Sequence, residues 1–559
     1  MPVPIHPGAS RANGTGSSIP FHDPRNITEL FLGAFRRDVL SFYPGSRIDR
    51  EPGLALAGFA PHVSRPNPSF ALDFQLDDES PDAARTVRVA LFGTWYRLSV
   101  PSSLGLGPRD RELLLAMGRV MELHHQVLFS GSRMTLLQLR RGMPEDHYVA
   151  AGIEPSAYSL AASAPSRTAE AILTLRTLAL STYENRRVAT GVLILGSNPR
   201  SSASSKTTRP QTSPEALPFS VELTGLKTLH RLCDGRRTLF LVDQEGKLAE
   251  LVDIRQWAIS QVLALAEEMS TTAPEPSESA QEPLSDDCDE SELLLSVPCA
   301  RTYTFHALAS RTGGHVCLVL SPNQEIKIFA AGVQAFVFAH GRWRVLDPES
   351  RFTLWEQAVA NRRLARVLFQ TALDLVEERQ GGLLVVVADP ARAIGRLLSP
   401  HDLLEIKNSA PGGPHESPTR PFSLPGLNAH PQAEEDAEAP IHPGHLPDSS
   451  LAMPLTKRSM HYLARGASVI ELDAAVIEAL AGLDGALVTD SDGRLLAFGA
   501  ILRHDVYSLS GSDPQAPPAI AEGARTTAAL AASRFGPVLK ISEDGIVSFF
   551  LDGRRVWDL

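Results

Sequence analysis

Apolar residues recur along this chain with two periods, about every third or fourth position and every second, separated by stretches that keep neither. The helical period predicts helices over Thr28–Phe42, Pro108–Phe129, Thr168–Tyr183 and Ile254–Met269. Alternation predicts strands over Phe70–Leu76, within Thr86–Val100, and over Gly191–Leu195, Phe219–Leu223 and Thr238–Val242. Further on, His315–Leu320 and Ile326–Phe329 read as strands around a Pro-Asn turn, and Ala335–Ala339 and Trp343–Leu346 as strands around His340-Gly341. Thr353–Glu378 is the longest helical pattern, with Gly381-Gly382 as its expected stop. Leu383–Val387 is apolar at every position, as a strand covered on both faces should be. A helical run, Val469–Leu480, precedes short strands at Leu487–Thr489 and Leu495–Leu502, and the pattern closes with a helix start at Gly523 and two final strands.

The stretches without a period divide the chain. Residues 1–24 are rich in Pro, Gly and Ser, and 270–295 and 408–454 are dense in Pro with Glu, Asp, Ser or His; such compositions cannot bury enough apolar surface to order themselves. The expected organisation is a disordered N-terminus (1–24), a mixed α/β region (25–269), an acidic linker (270–295) and a C-terminal α/β domain (296–559) carrying a disordered insert at 408–454. The fold class predicted is mixed α/β, with a twisted sheet flanked by helices in the C-terminal domain.

Composition narrows the function classes. The chain has 559 residues, enough for several cores, and a net charge of -11, which excludes a global basic field for nucleic acid or anionic membrane. Cys233, Cys288, Cys299 and Cys317 are too scattered for a disulfide framework or a Cys-x-x-Cys zinc site. Met1–Pro20 lacks a secretory layout and no apolar run approaches a membrane span, so the expectation is a soluble, cytoplasmic protein without a membrane partner. Phosphate-loop, His-Glu-x-x-His and Gly-x-Ser-x-Gly signatures are missing. His124-His125 lies in a helix, where adjacent side chains diverge, so shared metal ligation is not expected.

What remains is an ordered set: Asp484-Gly485-Ala486 at a strand start, Gly523-Ala524-Arg525-Thr526-Thr527 at a helix start, and Ser542-Glu543 at a strand end. Each alone has a bland reading, as a turn, a capped helix or a strand end. Together, and in this order, they resemble the diadenylate cyclase family, the nucleotidyltransferase domain of DNA-integrity scanning protein and its relatives. The resemblance runs from Leu364 onward, about the C-terminal third to two fifths of the chain. Asp484-Gly485-Ala486, Gly523-x-Arg525, Ala528-Ala529, Ser533 and Ser542-Glu543 match, whereas the family's Arg-His-Arg is Arg525-Thr526-Thr527 here. Residues 25–269 resemble, more faintly, the sensor-type region fused to some bacterial cyclases.

The resemblance implies an enzyme that joins two ATP into cyclic di-AMP and two pyrophosphates, with Mg2+ or Mn2+ at Asp484. It implies phosphate contacts from Arg525, Gly523, Thr526, Thr527 and Ser542, and a second acid at Glu543. Close nucleotide approach would fall at Gly485 and Ala486. One domain holds one ATP, so a face-to-face homodimer or higher homo-oligomer is implied. A Thr donates one hydrogen bond where Arg would clamp phosphate with two, so the Thr526-Thr527 substitution also leaves open a catalytically degenerate nucleotide sensor, or a cyclase-fold enzyme with a different product.

Overall fold

A computed structural model of the chain describes residues 24–55, 74–77, 85–91, 94–101, 104–129, 141–159, 162, 164–183, 186–196, 218–225, 232–272, 295–399, 402–404, 464–503 and 523–559. Residues 1–23, 273–294 and 408–454, where low-complexity segments are expected, lie outside them, as do Cys288 and positions 70–73 of the strand expected at Phe70–Leu76.

Helix α1 (Pro24–Phe42) is followed by strands β1 (Arg47–Ala55), β2 (Phe74–Asp77), β3 (Thr86–Leu91) and β4 (Thr94–Ser99), an antiparallel sheet in the order β1-β4-β3-β2. Helices α2 (Pro108–Phe129), α3 (Pro144–Ile153) and α4 (Arg167–Ala179) come next, then a small ladder of β5 (Thr182–Tyr183) with β6 (Arg186–Arg187). The middle of the chain contributes β7 (Thr190–Ile194), α5 (Phe219–Gly225), β8 (Thr238–Val242), β9 (Leu248–Asp253), α6 (Ile254–Thr272) and α7 (Thr304–Ser310). Four strands follow: β10 (Val316–Leu320), β11 (Ile326–Ala330), β12 (Val333–Ala339) and β13 (Arg342–Val345). These and the three preceding strands make one seven-stranded sheet, β13-β12-β11-β10-β7-β8-β9.

That sheet crosses the boundary drawn at 270–295. Strand β10 pairs antiparallel with β7, Leu318 opposite Val192, so strands from both sides of the acidic segment share one hydrogen-bonded ladder. The sheet buries both faces. Val192, Ile194, Phe240, Val242 and Leu318 face the core shared with α1 to α4, while Leu193, Leu239, Leu241, Cys317 and Val319 face α6 and α7. Successive side chains of a strand point to opposite faces, which is why these sets alternate.

The last part comprises α8 (Pro348–Val359), α9 (Arg362–Glu377), β14 (Gly382–Val387), α10 (Pro390–Ala393), α11 (Ala474–Ala481), β15 (Ala486–Asp490), β16 (Leu495–Ala500), α12 (Ala524–Ala532), β17 (Val538–Ser542), β18 (Ile546–Leu551) and β19 (Arg554–Asp558). The six strands form a mixed sheet ordered β16-β15-β14-β17-β18-β19, with β14 and β15 its parallel pair. Along β14, Leu384 and Val386 join the core under α8, α9 and α11, whereas Leu383, Val385 and Val387 join the core under α10 and α12. The fold is mixed α/β, as the pattern predicts.

Several elements differ from their sequence reading: Thr182-Tyr183, read as the end of a helix, is strand β5, and Val469–Leu472, read as helical, is a turn ahead of α11. Phe219–Leu223 is helical: Phe219 and Leu223 are buried one turn apart and Val221 is 51% exposed, a spacing that mimics alternation over five residues. The pattern over Thr353–Glu378 is two helices. Ala360 turns left-handed (φ 63°) to close α8, and Asn361 caps α9 by accepting the Leu364 N–H at 3.1 Å. Helix α9 then stops ahead of its two glycines, with Arg379 left-handed at φ 58°, a conformation that costs a residue with a Cβ about 1–2 kcal/mol.

Candidate functional site

The register of the C-terminal sheet brings the sequence motifs to one end of it. Strands β14 and β15 run parallel with Leu384 opposite Leu487, so Gly381 and Asp484-Gly485, just ahead of them, are neighbours. Strand β17 runs antiparallel to β14 with Gly382 opposite Ile541, so Ser542 and Glu543 emerge at the same end. Helix α12 begins beside them and supplies Arg525.

Arg525 stands between the two acids. Its Nη1 is 3.0 Å from Glu543 Oε1 and its Nη2 is 4.0 Å from Asp484 Oδ1. All three side chains face water, Asp484 fully. An exposed pair of this kind contributes at most about 1 kcal/mol, so it does not hold the fold together and exchanges readily for a ligand. Phosphate is the natural competitor for a guanidinium and an obvious partner for a helix start, where Gly523 has no side chain to cap the first-turn amides.

Two glycines make the geometry possible. A Cβ on Gly381 would lie 2.0 Å from Arg525 Nη1 and 3.2 Å from Glu543 Oε1, so the guanidinium lies across this residue because nothing projects from it. Gly485 has φ 117°, and a Cβ there would meet the Gly499 carbonyl carbon at 2.4 Å. Gly381 is a site residue that the sequence reading took for a helix terminator.

The remaining predicted residues are placed less directly. Ala486 is buried opposite Ala500 and packs into the core. Thr526, only 3% exposed, points inward, so the expected pair of phosphate-binding hydroxyls is not presented together. Thr527 donates its hydroxyl to the Gly523 carbonyl at 3.3 Å. Ser542 Oγ accepts the Asp544 N–H at 3.3 Å and lies 3.5 Å from Asp544 Oδ2, a local turn bond. Residues 504–522, between β16 and α12, lie outside the described set.

Among the described residues no group of three or more His, Cys, Asp or Glu side chains is arranged to hold a metal ion. The donor set at the sheet end, Asp484 with Glu543 nearby, suits a hard cation such as Mg2+ that takes most of its ligands from phosphate and water, and does not suit an all-protein cage. His125 is buried against Phe31, ring centroids 5.4 Å apart, and burial holds its pKa down. Cys233, Cys299 and Cys317 are buried free thiols. No described helix is long and apolar enough to cross a membrane. No family model, curated protein or solved structure matches the chain.

Proposed function

We propose that the sheet end bearing Asp484, Arg525 and Glu543 binds ATP and that the protein is a diadenylate cyclase. The observation that carries this reading is Arg525 poised between two exposed carboxylates, one just ahead of β15 and one just after β17, across a glycine that leaves room for it. In the reaction each ATP 3′-oxygen attacks the α-phosphorus of the other nucleotide. The 3′-proton passes to solvent water, and the bond from that phosphorus to the β,γ-pyrophosphate breaks, releasing pyrophosphate. Arg525 trades Glu543 for phosphate oxygens, adding bidentate charge-assisted bonds to the oxygens of the transferring phosphoryl group, where negative charge builds. The Gly523 end of α12 and Thr527 face the same phosphates, with Ser542 beside them. Gly485 and Ala486 keep the floor of the site low. Asp484, with Glu543 as second acid, would hold Mg2+ or Mn2+, which on binding supplies a lowered pKa for the 3′-hydroxyl and charge neutralisation at phosphate. Because each attack needs a nucleotide from a second domain, the working form is a face-to-face homodimer or a larger assembly, and catalysis is chiefly positioning.

A second reading has its own support. Thr526 is buried and the Thr527 hydroxyl is engaged with Gly523, so a single guanidinium does the work of the family's Arg-His-Arg. That favours a nucleotide sensor that binds without turnover.

Incubating the full-length protein with ATP and Mn2+ or Mg2+, and identifying products by mass spectrometry, separates the two. Cyclic di-AMP from wild type and none from Asp484→Asn, with unchanged melting, is the expected outcome. ATP binding without product moves the assignment to the sensor, and neither binding nor product refutes both.

A further inference from the structure

The exposed Arg525–Glu543 pair cannot fix its own position, so something else must hold the turn that carries Glu543. The turn is tight: the Gly545 N–H bonds the Ser542 carbonyl at 3.0 Å. Two guanidinium groups grip it from outside the C-terminal sheet. Arg379 Nη1 donates to the Glu543 carbonyl at 3.3 Å, and Arg344 Nη2, from β13 of the seven-stranded sheet, donates to the Gly545 carbonyl at 3.2 Å.

Arg379 is unusual in its backbone as well. It occupies the left-handed position after α9, where its N–H bonds the Val376 carbonyl at 3.1 Å and the Gln380 N–H bonds the Leu375 carbonyl at 2.9 Å. This is a Schellman ending, in which glycine fits without steric cost and arginine does not. A strained residue in such a place points to a use for its side chain. That side chain does three things at once. It bonds Glu543, it lies against Gly545, where a Cβ would stand 3.5 Å from Nη1, and its Nη2 bonds the buried Glu325 carboxylate.

Glu325 belongs to the β10–β11 hairpin of the seven-stranded sheet and is itself anchored. Lys327 Nζ lies 3.3 Å from its other oxygen and also bonds Glu377, which accepts the Tyr303 hydroxyl at 3.0 Å. Each buried charge here has a partner, so the cluster resists piecemeal rearrangement. On the far side of the site, α11, which leads into Asp484, is tied in the same way by Arg301. It bridges Asp374 of α9, at 2.5 Å, and Glu478 of α11.

We infer that Arg379 and Arg344 are positioning residues of the candidate site: they fasten the Ser542–Gly545 turn to the seven-stranded sheet and so fix Glu543 against Arg525. The inference rests on the nucleotide-site reading given above.

Hydrogen–deuterium exchange on the full-length protein tests it, with Arg379→Gly, Arg379→Lys and Glu325→Gln beside wild type and ATP affinity measured in parallel. Arg379→Gly relieves the left-handed strain but takes one partner from the buried Glu325, which keeps Lys327, so its unfolding midpoint should change little. Amides of the Glu543–Ile546 turn should nevertheless exchange about tenfold faster, with β17 unchanged. ATP should bind about tenfold more weakly, and Arg379→Lys should recover part of the loss because it keeps one donor. Glu325→Gln should loosen the same turn to a lesser degree. Unchanged turn exchange in Arg379→Gly overturns the inference, and so does a uniform rise across the whole chain with a lower midpoint, the mark of a merely structural role. If wild type binds no ATP, the nucleotide reading fails while the exchange data still decide whether the turn is held from the other sheet.

Discussion

A methyl group added at Gly381 would stand 2.0 Å from Arg525 Nη1, with no positive φ at that residue to make alanine costly in itself. Gly381→Ala is therefore expected to push Arg525 aside and weaken ATP binding about tenfold, while melting changes little; calorimetric titration and a thermal scan would check both halves. His306 makes a different prediction. It is fully buried among Tyr303 and Phe329, with Nε2 3.0 Å from the Gly235 carbonyl, and burial pushes its pKa down from 6.5 to about 4. Above pH 6.5 the ring is neutral in both folded and unfolded chains. As pH falls from 6.5 toward 4 the unfolded chain takes up a proton that the folded one refuses, so stability is lost, by about 3 kcal/mol at the bottom of that window. Urea unfolding of His306→Gln over the same range should show a shallower acid loss. Asp484, Arg525 and Glu543 were legible in the sequence because their residue types and order survive without knowledge of the fold. Gly381 and Arg379 were not, since a glycine after a helix and an arginine near its end have ordinary readings until the third dimension shows what lies against them.

At the scale of elements, the buried strands were legible from their composition. Leu383–Val387 is apolar throughout because both of its faces are covered, and Pro108–Phe129 announces its own start with Pro and an acidic first turn. The errors came where two periods fit the same letters or where a break lacks its usual residue. Phe219-Ser-Val-Glu-Leu223 alternates like a strand, yet its two buried residues are also one helical turn apart. The junction of α8 and α9 has alanine in the left-handed position where glycine is the common signal, leaving Asn361 as the only punctuation. Ala360→Gly should accordingly stabilise the protein by about 1 kcal/mol, read as a higher urea midpoint at unchanged slope.

For the whole molecule, the decisive feature is the pairing of β10 with β7. A fragment beginning at residue 296 keeps β10 to β13 but loses the three strands that cover the β10 edge. Such an unpaired, apolar edge templates association, so that fragment is expected to elute as aggregate in size-exclusion chromatography, where full-length protein does not. No local pattern could have revealed this, because the acidic stretch between the halves reads as a linker and strand partnership over such a separation leaves no mark in either strand.

The same ladder sets an order of events at the ribosome. Strand β7 leaves the exit tunnel first and β8 and β9 follow roughly 40 residues later, but β10 emerges only after roughly 60 more, a wait of about 3–12 s at ordinary elongation rates. During that interval β7 offers a bare, mostly apolar edge to its surroundings or to a holding chaperone. Nascent-chain yield should therefore depend on how quickly the stretch between β9 and β10 is translated, and synonymous slow codons placed there should lower soluble protein without altering a single residue.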